Sequence, residues 1–486
     1  MYFRDGTRGV LGDAFAHRTA RRTRLRDRMA MLAMVLVVTG LTVPPQPALA
    51  AGPTIRPTPS SGATGTTIVV TGRGFMPRTR VQLTWDGKFA RLPSAWVNRR
   101  GTLKVTFTVP AGVPGRHRLG ARKILGGSRT VTRRSQLGVL LASAAFTRVP
   151  APPATSPGPG FVYRDGTKLL LDGRPFRFTG LNIYNANGRD NCAYPLGYDD
   201  GSLGASLDAI GSGQEAFRAW FFQDLATTDG RRDWSAFDRT LSAARTRGLK
   251  VIVTLADQWG ACDSGPSQAV FKSDTWYRTG YRSTIQPGST QTYRDWVAAI
   301  VTRYRDDPAI LAWQLMNEAE VKSSRPASSC SPDAATILKA WATDVARLVK
   351  SIDSRHLLSL GTMGGGQCGA VHLEYKALHD IPQVDLCEYH DYSVDAMPGD
   401  EWNGLAFRLK QCAALNKPLL VGEVGMKDMP LGTRGATFEK KFRAQFAAGV
   451  VGILPWAFID AAYGGSSETD YNIGPADPVI DLLMAY

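Results

Sequence analysis

The chain has 486 residues and carries 58 Lys and Arg against 42 Asp and Glu, a formal net charge of +16. The excess is local, because residues 51–150 hold 17 basic residues and a single acid, Asp86, while residues 151–486 carry a small net negative charge. This distribution excludes a uniformly basic protein, and charge alone indicates solubility and non-specific attraction to anions rather than a fold or a ligand.

Residues 1–50 predict a secretory signal peptide. An arginine-rich start is followed by an apolar stretch at residues 29–43 and by the small-residue pattern Ala-Leu-Ala at residues 48–50. We therefore expect a secreted, extracellular protein, with association to the cell wall left open. A permanent membrane anchor is the less favoured alternative, because the apolar core is well short of the roughly 20 residues that span a bilayer. The pair Arg21 and Arg22 leaves the export route open.

Residues 51–150 predict a small antiparallel β-sandwich. Short alternating strands such as GTTIVVTGRGF, RVQLTWDGK and TLKVTFTVP are separated by Gly and Pro turns. The pattern resembles bacterial immunoglobulin-like modules, which pair a strand and a glycine-rich turn with a W-D-G type hairpin. Because export is expected, an anionic cell-wall polymer or a membrane surface is a better partner for this basic module than nucleic acid. A solvated spacer without a ligand is the alternative.

The Pro-rich segment at residues 151–160, APPATSPGPG, predicts a linker, and residues 161–486 predict a (β/α)8 TIM barrel. A hairpin at residues 161–176 is expected to cap the bottom of the barrel. Apolar strand segments then alternate with helical patterns, as in a parallel barrel. The eight predicted strands are FRFTGLNI, FRAWF, LKVIVTLA, ILAWQLMN, LLSLG, VDLCEYH, PLLVGEV and VVGILPWA.

Two of these strands end in a lone carboxylate. The run ILAWQLMN is polar only at Gln314 and Asn317, which is typical of a strand buried on both faces, and Glu318 follows at once. The stretch KPLLVGEVGM repeats this design with Glu423. Because barrel enzymes keep catalytic residues at the carboxyl ends of their strands, both carboxylates are expected at the mouth. Such a pair predicts cleavage of a glycosidic bond, with Glu318 as acid/base and Glu423 as nucleophile.

The stretch DDPAILAWQLMNEAE resembles the fourth strand of clan A glycoside hydrolases, and it is most similar to family 5, where an asparagine precedes the acid/base glutamate. Three further segments resemble the family's β-mannanase branch: FRAWFFQD its second strand, EYHDY its sixth and GILPWAF its eighth. The closing DYNIGPADPVIDLL is also similar to the end of that branch. The likeness covers residues 160–486 and implies hydrolysis with retention of configuration. No metal or organic cofactor is expected, because the reaction needs only carboxyl groups and water.

The resemblance implies which residues lie beside the two glutamates, and the chemistry of the reaction gives each a role. A partly dry pocket beside an ionised partner should raise the pKa of Glu318, while Glu423 should stay ionised. Arg218 is expected to keep the charge of Glu423 favourable through a planar guanidinium contact, and Tyr392 to donate a hydrogen bond to the same carboxylate. Asn317 is expected to reach the 2-hydroxyl of the sugar.

The remaining predicted substrate contacts are aromatic or imidazole side chains and one acid. Trp456 offers a flat apolar face for a sugar ring, and Trp259 and Trp220 are expected to extend that floor, although Trp220 also fits a packing role at the barrel lip. The resemblance implies that His390 contacts substrate, with a satisfied barrel histidine as the alternative. Asp257 stands where the mannanase branch often has an amide, which leaves the contacts around the cleaved sugar open.

Six cysteines occur in the predicted barrel. An even count in an exported chain favours disulfides over metal ligation, and no C-x-x-C pair occurs. From their placement, the expected pairs are Cys192–Cys262, Cys330–Cys368 and Cys387–Cys412.

The sequence therefore predicts a secreted retaining endo-β-glycosidase that hydrolyses β-1,4-mannan or glucomannan by double displacement. An endo-β-1,4-glucanase remains an alternative, because mannose and glucose differ at one hydroxyl. An exo-acting β-mannosidase is a further alternative. An alternative of another class is a non-catalytic carbohydrate-binding wall protein. The presence of both glutamates with Arg218, Asn317 and Tyr392 argues against it.

Overall fold

The computed structural model describes residues 52–89, 92–110, 115–125, 134–149, 155–188, 202–210, 215–261, 271–323, 329–461 and 464–486. The predicted signal peptide at residues 1–50 and the start of the predicted linker lie outside these ranges. Among the described helices, none is both long and apolar enough to cross a lipid bilayer.

The first described region is all-β and contains two sheets. Its strands are β1 (Thr54–Thr58), β2 (Ser61–Gly62), β3 (Thr67–Arg73), β4 (Arg80–Trp85), β5 (Ser94–Trp96), β6 (Leu103–Thr108), β7 (Gly115–Ile124) and β8 (Leu137–Arg148). One sheet has the order β1-β3-β6 and the other the order β2-β8-β7-β4-β5. In β6, every second residue is buried, so that Val105 and Phe107 share a face and pack in one core with Leu83 and Leu119 of the other sheet. The two-sheet architecture agrees with the predicted sandwich, and its immunoglobulin-like character stays a prediction.

A small antiparallel sheet follows and covers one end of the barrel. Its strands are β9 (Val162–Asp165), β10 (Lys168–Leu171) and β11 (Arg174–Phe176), in the order β11-β10-β9. The apolar side chains of Val162 and Leu169 are buried against Phe178, Leu311 and Leu420 of the barrel strands. The expected hairpin cap is therefore a three-stranded sheet that closes the barrel core.

The barrel is a sheet of eight parallel strands. They are β12 (Phe178–Asn182), β13 (Ala216–Trp220), β16 (Lys250–Thr254), β17 (Ile310–Gln314), β18 (Leu357–Ser359), β19 (Cys387–Asp391), β20 (Leu419–Val424) and β21 (Gly452–Pro455). Their order is β18-β17-β16-β13-β12-β21-β20-β19, and the two end strands meet where the backbone N–H of Leu386 donates to the carbonyl of Leu358 at 3.1 Å. This nearly closed sheet confirms the predicted barrel, and each of the eight predicted strand segments overlaps one of its strands, although β13 begins one residue before FRAWF and β19 ends one residue after VDLCEYH.

Helices connect the barrel strands and bury one apolar stripe each. They are α1 (Ser202–Ile210), α2 (Ser235–Thr246), α3 (Tyr281–Ser283), α4 (Tyr293–Tyr304), α5 (Ala334–Ile352), α6 (Leu373–His379), α7 (Leu405–Ala413), α8 (Leu431–Ala447) and α9 (Pro478–Leu483), and a short hairpin adds β14 (Thr227–Thr228) and β15 (Arg231–Arg232). In α5, residues three and four positions apart, such as Leu338, Trp341 and Val345, are buried. At the start of α4, the Thr292 side chain accepts a hydrogen bond from the N–H of Asp295, which satisfies one of the free donors of the first turn.

Two of the predicted disulfides are present. Cys330 bonds to Cys368 and Cys387 bonds to Cys412, with sequence separations of 38 and 25 residues. The predicted pair of Cys192 with Cys262 lies outside the described residues. The first disulfide ties the loop after β17 to the loop after β18, at the carboxyl ends of the barrel strands.

Strand register brings polar side chains together at this end of the barrel. Asn182 on β12 lies opposite Arg218 on β13, and His390 on β19 lies opposite Glu423 on β20. These side chains are buried within the barrel. Buried polar groups need partners, so the barrel mouth must contain a connected polar network.

Candidate active site

Arg218 is the centre of the polar network at the barrel mouth. Its guanidinium is fully buried and donates from Nε to Gln314 Oε1 at 2.8 Å and from Nη2 to Asn317 Oδ1 at 2.6 Å. Its Nη1 donates to Asn182 Oδ1 at 2.9 Å and to Glu423 Oε1 at 2.8 Å. Four acceptors on three strands and one strand end thus fix the guanidinium plane.

Glu423 lies at the end of β20 and is only 3% exposed. One carboxylate oxygen accepts from Arg218, and the other accepts a short hydrogen bond from the hydroxyl of Tyr392. Burial raises the pKa of Glu423, and the charges of His390 and Arg218 offset part of this effect. Burial and the neighbouring carboxylate raise the pKa of Tyr392 well above its usual value, so its hydroxyl is a proton donor in the hydrogen bond.

Glu318 faces Glu423 from the end of β17. Its φ of 56° lies in the left-handed region, which few glutamates adopt. Trp259 Nε1 donates to its Oε2 at 2.7 Å, and His390 Nδ1 lies 2.8 Å from its Oε1. Burial alone would raise the pKa of Glu318, but the hydrogen bond and charge of His390 and the hydrogen bond of Trp259 bring it below its usual value.

His390 lies between the two glutamates. Its Nδ1 is 3.4 Å from Glu423 Oε2, and this nitrogen and one oxygen of each glutamate all lie within 4.8 Å of one another. Burial would lower the pKa of His390, but the surrounding carboxylates, first Glu423 and then Glu318 and Glu388, raise it to about 10. The imidazole is therefore a cation at neutral pH, and it carries a proton within hydrogen-bond distance of Glu318.

The pKa direction of Glu318 corrects the sequence-based expectation. The sequence predicts a raised pKa for Glu318, whereas its pKa is lowered; the pKa of Glu423 is raised by burial, and the contact with Arg218 favours the ionised form that the sequence predicts for it. The physical reason is the position of His390, which hydrogen-bonds to Glu318 and lies farther from Glu423. Glu318 and His390 are coupled, so their apparent pKa values belong to the pair rather than to either group.

Asp257 lies beneath Asn317 rather than on the open face of the site. It is 3% exposed, and its Oδ1 accepts from Asn317 Nδ2 at 2.8 Å. Its Oδ2 accepts from the backbone N–H groups of Trp259 and Ala261 at 3.1 and 3.0 Å. Burial raises the pKa of Asp257, and the hydrogen bonds from Ala261 and Asn317 partly offset this. Asp257 thus orients Asn317 and the start of the loop that carries Trp259.

An aromatic cluster forms one side of the mouth. Trp456 is partly exposed and stacks on Tyr184 with ring centroids 5.1 Å apart. Trp220 is 8% exposed and stacks on Phe222 at 4.8 Å, so it supports Trp456 from behind. Trp259 is also partly exposed, but its indole N–H is engaged with Glu318. Of the three predicted sugar platforms, Trp456 and Trp259 offer accessible ring surface and Trp220 acts as packing.

Sequence reasoning missed several partners of the predicted residues. Asn182 and Gln314 orient Arg218, and Tyr184 supports Trp456. A polar side chain in or at the end of an otherwise apolar barrel strand is the signal that could have identified Asn182 and Gln314. Glu388 was not missed: its position two residues before His390 predicts that it faces inward on the same strand, and it is fully buried below the site.

Three comparisons with known proteins bear on this site. A family model described as cellulase (glycosyl hydrolase family 5) matches residues 213–444. The chain is 27% identical over 364 residues to mannan endo-1,4-beta-mannosidase F of Aspergillus fumigatus, covering 68% of this chain and 77% of that protein. It is 30% identical over 321 residues to mannan endo-1,4-beta-mannosidase 1 of Oryza sativa subsp. japonica, covering 55% of this chain and 69% of that protein. The solved endo-1,4-beta-mannanase from Rhizomucor miehei superposes with a TM-score of 0.51 at 18% identity, covering 67% of this chain and 100% of that one, which supports the same fold.

Replacing Asp257 with Asn should destabilise the barrel mouth. The carboxylate accepts from three donors, whereas an amide has one acceptor oxygen and would bring its NH2 group against at least one of them. We expect the free energy of unfolding to fall by about 1–3 kcal/mol, measured by urea titration. The matched control is Asp428→Asn, whose side chain is 66% exposed and which should change this free energy by less than about 0.5 kcal/mol. Equal stability of Asp257→Asn and the parent protein would contradict the structural role given to Asp257.

Proposed function

Since this chain belongs to glycosyl hydrolase family 5, we propose that it is a retaining endo-β-1,4-mannanase with Glu423 as nucleophile and Glu318 as acid/base. The observation that carries the proposal is the approach of two carboxylates at the ends of β17 and β20, with His390 of β19 between them and oxygens within 4.8 Å. Family membership makes the protein a glycoside hydrolase. The choice of mannan is supported by the relatives named mannan endo-1,4-beta-mannosidase.

In the first step, an oxygen of Glu423 attacks the anomeric carbon, and the bond from that carbon to the leaving oxygen breaks. Arg218 and Tyr392 each hold one oxygen of this carboxylate, which fixes its direction of attack. The cation of Arg218 also favours the ionised form of the buried Glu423. Attack by a carboxylate this close to the proton donor supports a covalent glycosyl-enzyme intermediate rather than direct attack by water.

The leaving oxygen needs a proton as negative charge develops on it. Glu318 is the group that faces it in this proposal: the proton passes from His390 Nδ1 to Glu318 and from Glu318 to the leaving oxygen, which leaves Glu318 a carboxylate and His390 neutral. In the second step, Glu318 accepts a proton from water, the water oxygen bonds to the anomeric carbon, and Glu423 is released. The coupled pair of Glu318 and His390 thus serves as acid in one step and as base in the next.

The polymer is proposed to lie along the aromatic side of the mouth. The partly exposed ring of Trp456, held by Tyr184 and Trp220, offers an apolar surface for a sugar face. The side-chain oxygen of Asn317 accepts a hydrogen bond from Arg218, and one amide hydrogen is donated to Asp257. These two contacts fix the orientation of the amide group. Its second amide hydrogen is left for a contact with the 2-hydroxyl of the sugar.

The remaining sequence-based predictions complete the proposal. We propose a signal peptide at residues 1–50, a basic immunoglobulin-like module at 51–150, a linker at 151–160 and the catalytic barrel at 161–486. The two disulfides support an extracellular location, where such bonds persist. Arg116, Arg118 and Lys123 are exposed on strand β7, which supports a basic face that attracts anionic cell-wall polymer.

The secreted protein should release reducing sugar from linear β-1,4-mannan and glucomannan, and Glu423→Gln should lower this rate by at least about 1,000-fold because the attacking charge is lost. The matched control is Glu439→Gln on the exposed surface of α8, which should retain full activity. Release from soluble cellulose alone would keep the mechanism and replace mannanase with endo-β-1,4-glucanase. A folded protein without release from any of these polymers would support the carbohydrate-binding alternative.

Glu318→Gln should separate the two roles. A dinitrophenyl glycoside needs no protonation of its leaving group, so this variant should still form the glycosyl-enzyme and release a burst of the phenol, whereas Glu423→Gln should give no burst. The measurement is stopped-flow absorbance of the released phenolate. A burst from Glu423→Gln and none from Glu318→Gln would reverse the two assignments.

The first reducing ends formed should be β-anomers. Two displacements at one carbon restore its configuration, and the closeness of the two carboxylates supports this route. Proton NMR of fresh digests of mannan oligosaccharides should record the β-anomeric signal before mutarotation produces the α-signal. Initial formation of the α-anomer would establish inversion and exclude Glu423 as a nucleophile.

The full-length protein should be retained by an insoluble anionic wall polymer at low salt and released at high salt, because exposed charges are screened. The variant Arg116→Gln/Arg118→Gln/Lys123→Gln should lose most of this retention while its activity on soluble substrate stays unchanged. Neutral cellulose particles serve as the control surface. Retention by anionic lipid vesicles but not by wall polymer would make a membrane surface the partner, and retention by neither would leave the module as a spacer.

A further inference from the structure

Glu388 is a fully buried carboxylate below the two catalytic glutamates. Its Oε1 accepts a hydrogen bond from Gln314 Nε2 at 2.6 Å, and its Oε2 accepts from Ser359 Oγ at 2.5 Å. These partners lie on β17 and β18, so the carboxylate is held by two neighbouring strands. A buried charge costs free energy unless hydrogen bonds and an opposite charge compensate for it.

The neighbouring strand leaves space for this carboxylate at Gly422. The pairing of β19 with β20 shifts by one residue between Tyr389 and His390, which makes Gly422 the extra residue on β20. A Cβ atom at Gly422 would lie 2.1 Å from Glu388 Oε1. No side chain fits at this position while the carboxylate is in place, so a glycine here matches the presence of Glu388.

Glu388 and Glu318 lie on opposite sides of the His390 ring. His390 Nδ1 faces Glu318, and Nε2 lies 3.5 Å from Glu388 Oε1. Within the described residues, Nε2 is buried and makes no shorter polar contact. The distance is long for a hydrogen bond, but a unit charge so close in a buried site interacts strongly with an imidazolium.

The other ionisable groups around His390 and Glu388 lie on β13, β20 and α6 and just after β19. Among them, Tyr375 on α6 donates its hydroxyl to the backbone carbonyl of Glu388 at 2.7 Å, and burial raises the pKa of this tyrosine. Glu423 faces the ring from β20, and Arg218 extends from β13 to Gln314, whose amide links it to Glu388. Tyr392 and His379 are neutral, since the pKa of the tyrosine is raised well above its usual value and burial lowers the pKa of the histidine to about 3.

We propose that Glu388 is a positioning residue that holds His390 as an imidazolium, and so keeps a transferable proton beside Glu318. This inference rests on the proposed glycosidase mechanism, in which the pair of Glu318 and His390 supplies the proton to the leaving oxygen. Glu388 does not touch substrate. It acts through the charge that it places on the far side of the imidazole ring.

The variant Glu388→Gln removes this charge and keeps the size of the side chain. A nearby negative charge raises the proton affinity of the pair, so its loss should move the alkaline limb of the kcat/KM profile to lower pH by about one unit or more. A role in packing alone would lower the rate at all pH values and leave the limb in place. Glu439→Gln, an exposed carboxylate-to-amide change, is the matched control and should not move either limb.

NMR of histidine labelled with 15N tests the same inference without using activity. The chain has six histidines, and the signal of His390 can be assigned by its loss in His390→Asn. In the parent protein, His390 should remain an imidazolium through neutral pH, and in Glu388→Gln its titration midpoint should fall by about one unit or more. An unchanged midpoint in Glu388→Gln would overturn the proposal. A lowered midpoint in a protein that hydrolyses no β-glycan would retain the role of Glu388 and reject the proposed function.

A second variant covers the case in which Glu388→Gln does not fold. Glu388→Asp keeps the charge and moves it away from His390 by one methylene, so it should shift the midpoint and the alkaline limb in the same direction by a smaller amount. A midpoint in Glu388→Asp equal to that of the parent would count against the proposal.

Discussion

The hydrogen bonds of Arg218 are the interaction on which the rest of the site depends. One guanidinium connects Asn182 on β12, Gln314 on β17, Asn317 at the end of that strand and Glu423 on β20. Because the guanidinium is planar and permanently charged, it fixes directions as well as distances. A lysine would offer a point charge with three donors and could not satisfy the same four acceptors in one plane. The barrel brings the strand ends together, and the hydrogen bonds of Arg218 connect the residues at these ends into one network.

Carboxylates outnumber cations around this network, and that imbalance determines the protonation of His390. Glu318, Glu388 and Glu423 surround the imidazole, and Arg218 is shared among several acceptors. Binding a proton balances the excess negative charge at a low cost in free energy. His390 binds this proton because it lies nearest to all three carboxylates. The same physical requirement that stabilises the buried acids therefore places a proton within hydrogen-bond distance of Glu318.

The sequence alone predicted the barrel, its eight strands and two of the disulfides, because long apolar segments and residue spacing carry that information. It also brought together Glu318 and Glu423, since strand ends of a barrel converge, and the resemblance to family 5 added Arg218, Asn317, Tyr392 and His390 to them. The sequence could not place Asp257 and Trp220 behind the site, because the direction of a side chain at a strand end depends on the loop that follows. The sequence also could not predict the pKa directions of the two glutamates. These directions depend on a difference of about half an ångström between the distances from His390 Nδ1 to Glu318 and to Glu423. Glu388 could be placed on the inward face of its strand, but its closeness to Nε2 of His390 depends on the irregular pairing at Gly422.

The left-handed backbone of Glu318 has a consequence for how this chain tolerates change. A glutamate at a φ of 56° is less favourable than a glycine or an asparagine in the same conformation, and its carboxylate is also held close to another carboxylate. Loss of the acid would relieve this backbone strain, but it would also remove the hydrogen bonds from Trp259 and His390 and leave the buried imidazole with one carboxylate fewer. The stability of a variant at this position therefore depends on two opposing effects, the gain in backbone freedom and the loss of these partners.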